Sequence, residues 1–71
     1  MAGLDLRKLL FDSILVRKRG DSYNPMSIEE FVGLPVDERI ALLMQRKIRF
    51  FDGETEVATY DAVKSLDDAR R

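Results

Sequence analysis

Leu4-Asp5-Leu6-Arg7-Lys8-Leu9-Leu10-Phe11-Asp12-Ser13-Ile14-Leu15-Val16 is the stretch on which the fold turns. Leu6, Leu10, Phe11 and Ile14 follow helical spacing, with Asp5, Lys8 and Asp12 on the opposite side, so residues 4–16 are expected to form a helix. Leu9 and Val16 widen its apolar arc, which suits a central position. Arg17, Lys18 and Arg19 then fit a helix C-terminus, where cations meet the negative end of the dipole. The run Ile14-Leu15-Val16 also fits a short strand, and pattern alone leaves both readings open.

Beyond this stretch, residues 20–25 read as a loop of Gly, Asp, Ser, Asn and Pro. Ser27 opens a second helix with a capping box completed by Glu30 and a hydrophobic staple of Met26 against Phe31. Gly33 is expected to end it. Pro35 fits the first position of a third helix, with Asp37 and Glu38 in its first turn. Val36, Ile40, Leu43 and Met44 are its expected buried stripe, and Arg46 and Lys47 its basic end. Ile48-Arg49-Phe50-Phe51 changes character to β-branched and aromatic, and Asp52-Gly53 is a turn signal. Glu56-Val57-Ala58 is expected to return as the second strand of a hairpin. Thr59 is the expected cap of a last helix that turns Val63 and Leu66 inward and pairs Asp67 with Arg71.

The expectation is therefore an α+β, mainly helical domain over residues 1–71, in the order α-α-α-β-β-α with one β-hairpin. A weak repeat at an offset of 32 aligns Asp5 with Asp37, Arg7 with Arg39, Arg17 with Arg49 and Ser27 with Thr59. Generic helix start and stop signals account for it.

The chain has 71 residues, 45% hydrophobic and 35% charged, a globular balance. One core of this size supplies only ~3–5 kcal/mol, and the chain has no cysteine for a disulfide. Association is the remaining staple. With neither His nor Cys, catalysis lacks its usual bases and nucleophiles, and no glycine-rich phosphate cradle or serine elbow is present. Neighbouring acids such as Glu29-Glu30 and Asp67-Asp68 diverge on a helix. The reading is a non-enzyme without cofactor. Paired calcium-binding hands are suggested by Met26 to Phe31, but Arg19 and Asn24 fall where a ligand and a glycine belong, so no metal is expected. The longest apolar run is five residues, Ile40 to Met44, and the opening residues include Asp5, Arg7 and Lys8. Neither a span nor a signal peptide is expected, and the cytoplasm is the default location.

Charge runs in blocks of +3 over residues 1–19, −4 over 20–39, +3 over 40–51 and −3 over 52–71. Two basic clusters result: Arg17, Lys18 and Arg19, a candidate anion site, and Arg46, Lys47 and Arg49. Three helices followed by a hairpin is the order of a winged helix, which makes a winged-helix-like nucleic-acid binder the alternative function. Asp37 and Glu38 would open its recognition helix, and Asp52, Glu54 and Glu56 would line its wing, which disfavours phosphate. The favoured reading is a protein–protein interaction or regulatory module whose partner is another protein or a second copy in a homodimer. Its expected contact residues are Arg46, Lys47, Arg49, Phe50 and Phe51, because aromatics and Arg anchor interfaces. Ile48 and Phe50 share one strand face, the expected core face, and Arg49 and Phe51 the other. The free edge of the hairpin is expected to offer unpaired backbone groups to a partner strand.

Overall fold

The computed structural model describes residues 4–70. A single 3-10 turn at Leu6–Lys8 leads into strand β1 (Ser13–Val16) and strand β2 (Asn24–Met26). Helices α1 (Ile28–Gly33) and α2 (Val36–Met44) follow, then strands β3 (Ile48–Asp52) and β4 (Thr55–Val57) and helix α3 (Thr59–Ala69). The protein is α+β with a four-stranded antiparallel sheet in the order β2-β1-β3-β4. The expected α-α-α-β-β-α order with one hairpin is thereby overturned. So is the topological ground for a winged helix, since a strand pair precedes the helices and the β3–β4 hairpin is built into the sheet.

The correction begins at Asp12-Ser13. Short polar side chains offer the backbone bonds that compete with a helix. Asp12 Oδ1 accepts from the Gly53 amide at 3.1 Å, and the Asp12 amide donates to the Phe51 carbonyl at 2.8 Å. The chain is thus tied to β3 just where a helix would have to continue. From Ser13 the burial alternates with period two, with Ile14 and Val16 buried and Leu15 half-buried between them. Arg17, Lys18 and Arg19 accordingly leave a strand, not a helix, and enter the β1–β2 connection. There Gly20 takes a left-handed φ of 65°.

Ser27 caps α1 as its position predicts, its Oγ accepting from the Glu30 amide at 3.0 Å. The return half of the capping box is not formed among the described residues. Met26 and Phe31 are both buried in the core. Ala58, not Thr59, occupies the cap position of α3, and no side chain caps that helix. The second strand of the β3–β4 hairpin begins one residue earlier than expected, at Thr55. The expected Asp67–Arg71 pair lies outside the described residues.

Helix α2 ends in two backbone bonds. The Lys47 amide donates to the Leu42 carbonyl at 2.9 Å, and the Arg46 amide to the Leu43 carbonyl at 3.3 Å. This is the Schellman closure, which places Arg46 where glycine is usual. Arg46 has φ 55°, alone in the left-handed region among the described non-glycine residues.

The central seam is β1 against β3, pairing Ile14 with Phe50 and Val16 with Ile48. Together with Met26 these side chains form one buried sheet face, on which Phe31, Ala62 and Leu66 of the helices close. Phe50 is edge-on to Phe11 at 4.9 Å and to Phe31 at 6.0 Å between ring centres. All three helices contribute to this side, so the molecule has two layers and measures 36 × 28 × 18 Å. The N-terminal segment is fastened to α3 by the Asp5 amide on the Ala69 carbonyl at 2.9 Å. The Leu10 amide also donates to buried Ser65 Oγ at 3.2 Å. In outline the fold is a strand–strand–helix unit used twice, over residues 13–33 and 48–69, with α2 between. The offset-32 repeat of helix, turn and helix does not coincide with these units, which leave α2 outside.

Candidate interaction surface

One side of the sheet is covered by helices, and the other faces outward. The same alternation that buries Ile14, Val16, Ile48 and Phe50 turns Leu15, Arg17, Arg49 and Phe51 to the open side. Register then sets Pro25, Leu15 and Arg49 abreast across three strands, and Phe51 beside Glu56 across β3 and β4.

The charged and aromatic groups on this face are stacked. The Arg49 guanidinium lies 5.3 Å from the centre of the Phe51 ring and 5.6 Å from that of Tyr23. Arg17 approaches Tyr23 at 5.8 Å. Each separation falls within the range of cation–π attraction. Glu56 fixes the orientation of Arg49 by a two-pronged ion pair, Nη2 to Oε1 at 2.7 Å and Nε to Oε2 at 3.0 Å. This planar fork is the strong form of the contact. The pair lowers the Glu56 carboxyl below its ordinary value and raises Arg49, the hydrogen bond being the larger cause in both. Arg49 is thus held against aromatic surface, with its charge answered by Glu56.

The seam also unites the two basic clusters. The Arg17 amide donates to the Lys47 carbonyl at 2.7 Å, so clusters thirty residues apart in sequence meet at one end of the sheet. Arg17, Lys18 and Lys47 line a cleft of about 350 Å³ with Leu34, Leu42 and the acidic Glu38 of α2. Arg46 and Arg49 line a second, of about 440 Å³, with Tyr23 and Glu56. Arg17 is partly answered by exposed Asp21 at 3.7 Å. Arg19 is exposed in the β1–β2 connection.

Of the residues expected to bind a partner, Arg46, Lys47, Arg49 and Phe51 reach the surface, and Phe51 is half-buried. Phe50 does not, being 0% exposed at the centre of the core. The expected free edge of β3 is also absent. β3 is an inner strand flanked by β1 and β4, and its backbone groups are already engaged. The edges are β2 and β4, each three residues long, and β2 carries Pro25. Short strands and proline are what blunt an edge against strand addition. Tyr23, Leu15 and Glu56 belong to the surface and were missed. Tyr23 sits in a segment that reads as a polar loop, and Leu15 in one that reads as a helix.

Among the described residues no helix is long and apolar enough to cross a membrane, and no group of three acidic side chains could hold a metal ion. Compared with protein-family models, curated proteins and solved structures, the chain matches none of them.

Proposed function

We propose that this chain is a small cytoplasmic binding module, not an enzyme, and that it docks another protein on the open face of its sheet. The supporting observation is the layered contact of Arg17, Tyr23, Arg49 and Phe51. It is a flat aromatic and guanidinium surface whose side chains are already oriented before a partner arrives. Pre-ordering lowers the entropy lost on association. Aromatic and Arg side chains are also the types that dominate interface energetics. The bases around it that form no ion pair among the described residues, Lys18, Arg19, Arg46 and Lys47, favour a partner with acidic groups at the rim of the contact.

The test is affinity capture from the source cells with the wild-type chain, Phe51→Ser and Arg49→Ala, read by mass spectrometry. A partner retained by the wild type, lost with both variants and weakened by salt is the expected result, with circular dichroism unchanged. If instead the wild type retards random-sequence duplex DNA in a salt-dependent way and captures no protein through Phe51, the module binds nucleic acid and this reading fails.

A further inference from the structure

Helix α2 is apolar on every side in its second half, where Ile40-Ala41-Leu42-Leu43-Met44 covers more than a full turn. Leu42 and Leu43 pack against the core. Val36, Ile40 and Met44, spaced four apart, do not. They are 57%, 47% and 79% exposed, although the sequence pattern assigns them to the buried stripe. A helix apolar all round is normally covered all round. The exposed row continues into a groove of about 180 Å³ between α2 and α3, lined by Leu43, Val63 and Leu66 and by the charged Arg39, Asp67 and Arg70. Tyr60, one turn before Val63 on α3, is 76% exposed. This surface lies in the helical layer, away from the open sheet face.

We infer that the α2 face is covered by the α2 face of a second copy, the two helices packing antiparallel about a two-fold axis through Ile40. The row itself is symmetric about Ile40, with Val36 and Met44 four residues to either side. A two-fold axis there sets Ile40 on Ile40 and Val36 on Met44 of the second copy, as an isologous interface requires. Charge is complementary under the same operation. Asp37 and Glu38 stand in the first turn of α2, and Arg46 and Lys47 follow its last. Antiparallel packing brings Asp37 of each copy towards Arg46 of the other, and it opposes the two helix dipoles. Parallel packing would align like charges instead. A standard interface takes ~800 Å² from each partner, roughly a seventh of the 5266 Å² presented by this chain. α2 and the adjoining face of α3 are needed together to reach it.

The inference does not depend on the sheet-face reading; Arg46 lines the cleft beside Tyr23 and Arg49 as well, so Ile40→Glu and Phe51→Ser are the variants that separate the two. Sedimentation velocity at rising concentration is expected to show a monomer–dimer equilibrium for the wild type. Ile40→Glu places two like charges on the axis and is expected to weaken dimerisation at least about tenfold, equivalent to ~1.4 kcal/mol. Phe51→Ser is expected to leave it unchanged. Asp37→Lys and Arg46→Glu are each expected to weaken the homodimer, because each sets like charges against one another. An equimolar mixture of these two variants restores both attractive contacts and is expected to yield a heterodimer. A wild type that stays monomeric at the highest concentration overturns the inference. So does a dimer insensitive to Ile40→Glu while circular dichroism confirms the fold, or a mixture that fails to associate.

Discussion

Arg46 holds a left-handed backbone that costs a side chain with a Cβ roughly 1–2 kcal/mol, and glycine much less. Arg46→Gly is therefore expected to stabilise the fold by about 1 kcal/mol, raising the midpoint of thermal unfolding by roughly 4–8 °C. It should also weaken dimer formation in sedimentation, because the cation is lost. A rise in one and a fall in the other would mark Arg46 as a residue kept for its charge against its backbone preference. Ser65 makes the opposite case. Its Oγ accepts from the Leu10 amide and donates to the Ala62 carbonyl at 2.8 Å on the buried side of α3. Ser65→Ala leaves the Leu10 amide unanswered, and a loss of ~1–2 kcal/mol is expected in urea unfolding. The two phenylalanines of β3 separate core from surface. Phe50→Ser removes ~3–5 kcal/mol, about all that a core of this size supplies, and is expected to unfold the chain by circular dichroism. Phe51→Ser should leave the spectrum intact. That distinction was legible in the sequence, because adjacent strand residues face opposite ways. The role of Ser65 was not, because its partner is fifty-five residues distant.

Elements were legible where a local signal agreed with the tertiary outcome. Ser27 sits before an acidic first turn, and α1 begins after it with its Oγ on the Glu30 amide. Six residues of helix make few bonds of their own, so Ser27→Ala is expected to lower stability by ~1 kcal/mol in thermal melts. The β3–β4 hairpin was equally clear. Gly53 takes φ 63° in a two-residue turn between paired Asp52 and Thr55. β1 was half legible: Ile14-Leu15-Val16 fits the strand that forms, but a run with apolar residues at 6, 10, 11 and 14 also satisfies helical spacing. Its true period appears only over Ser13 to Val16, too short to outvote the longer pattern. A stronger signal was the excess width of that apolar arc, which a chain of 71 residues has no second layer to cover on all sides. α2 shows the converse. Its existence and ends were readable, yet the side it buries was not. A helix apolar all round gives no phase from which to choose a face.

At the scale of the molecule, two layers give two broad faces of different chemistry. One is aromatic and basic, on strands, and the other is aliphatic, on helices. A dimer joined through the helical layers would present its two sheet faces outward, and a partner with repeated acidic segments would bind both with raised avidity. Sequence blocks of alternating charge fit internal complementarity as well as distinct surfaces, and only the β1·β3 seam brings Arg17 to Lys47 and makes one patch of two. That seam has a further consequence. Its strands are joined by no turn, the path between them runs through β2, α1 and α2, and each belongs to a different strand–strand–helix unit. Chain connectivity at Gln45–Arg46 is therefore not what holds the halves in register. The pairing of Ile14 with Phe50 and Val16 with Ile48 is. Fragments 1–45 and 46–71, each lacking the other side of its core, are expected to be unfolded alone. Mixed in equal amounts, they should recover the circular dichroism of the intact chain, so that the protein behaves as a split pair that reports on whatever brings its halves together.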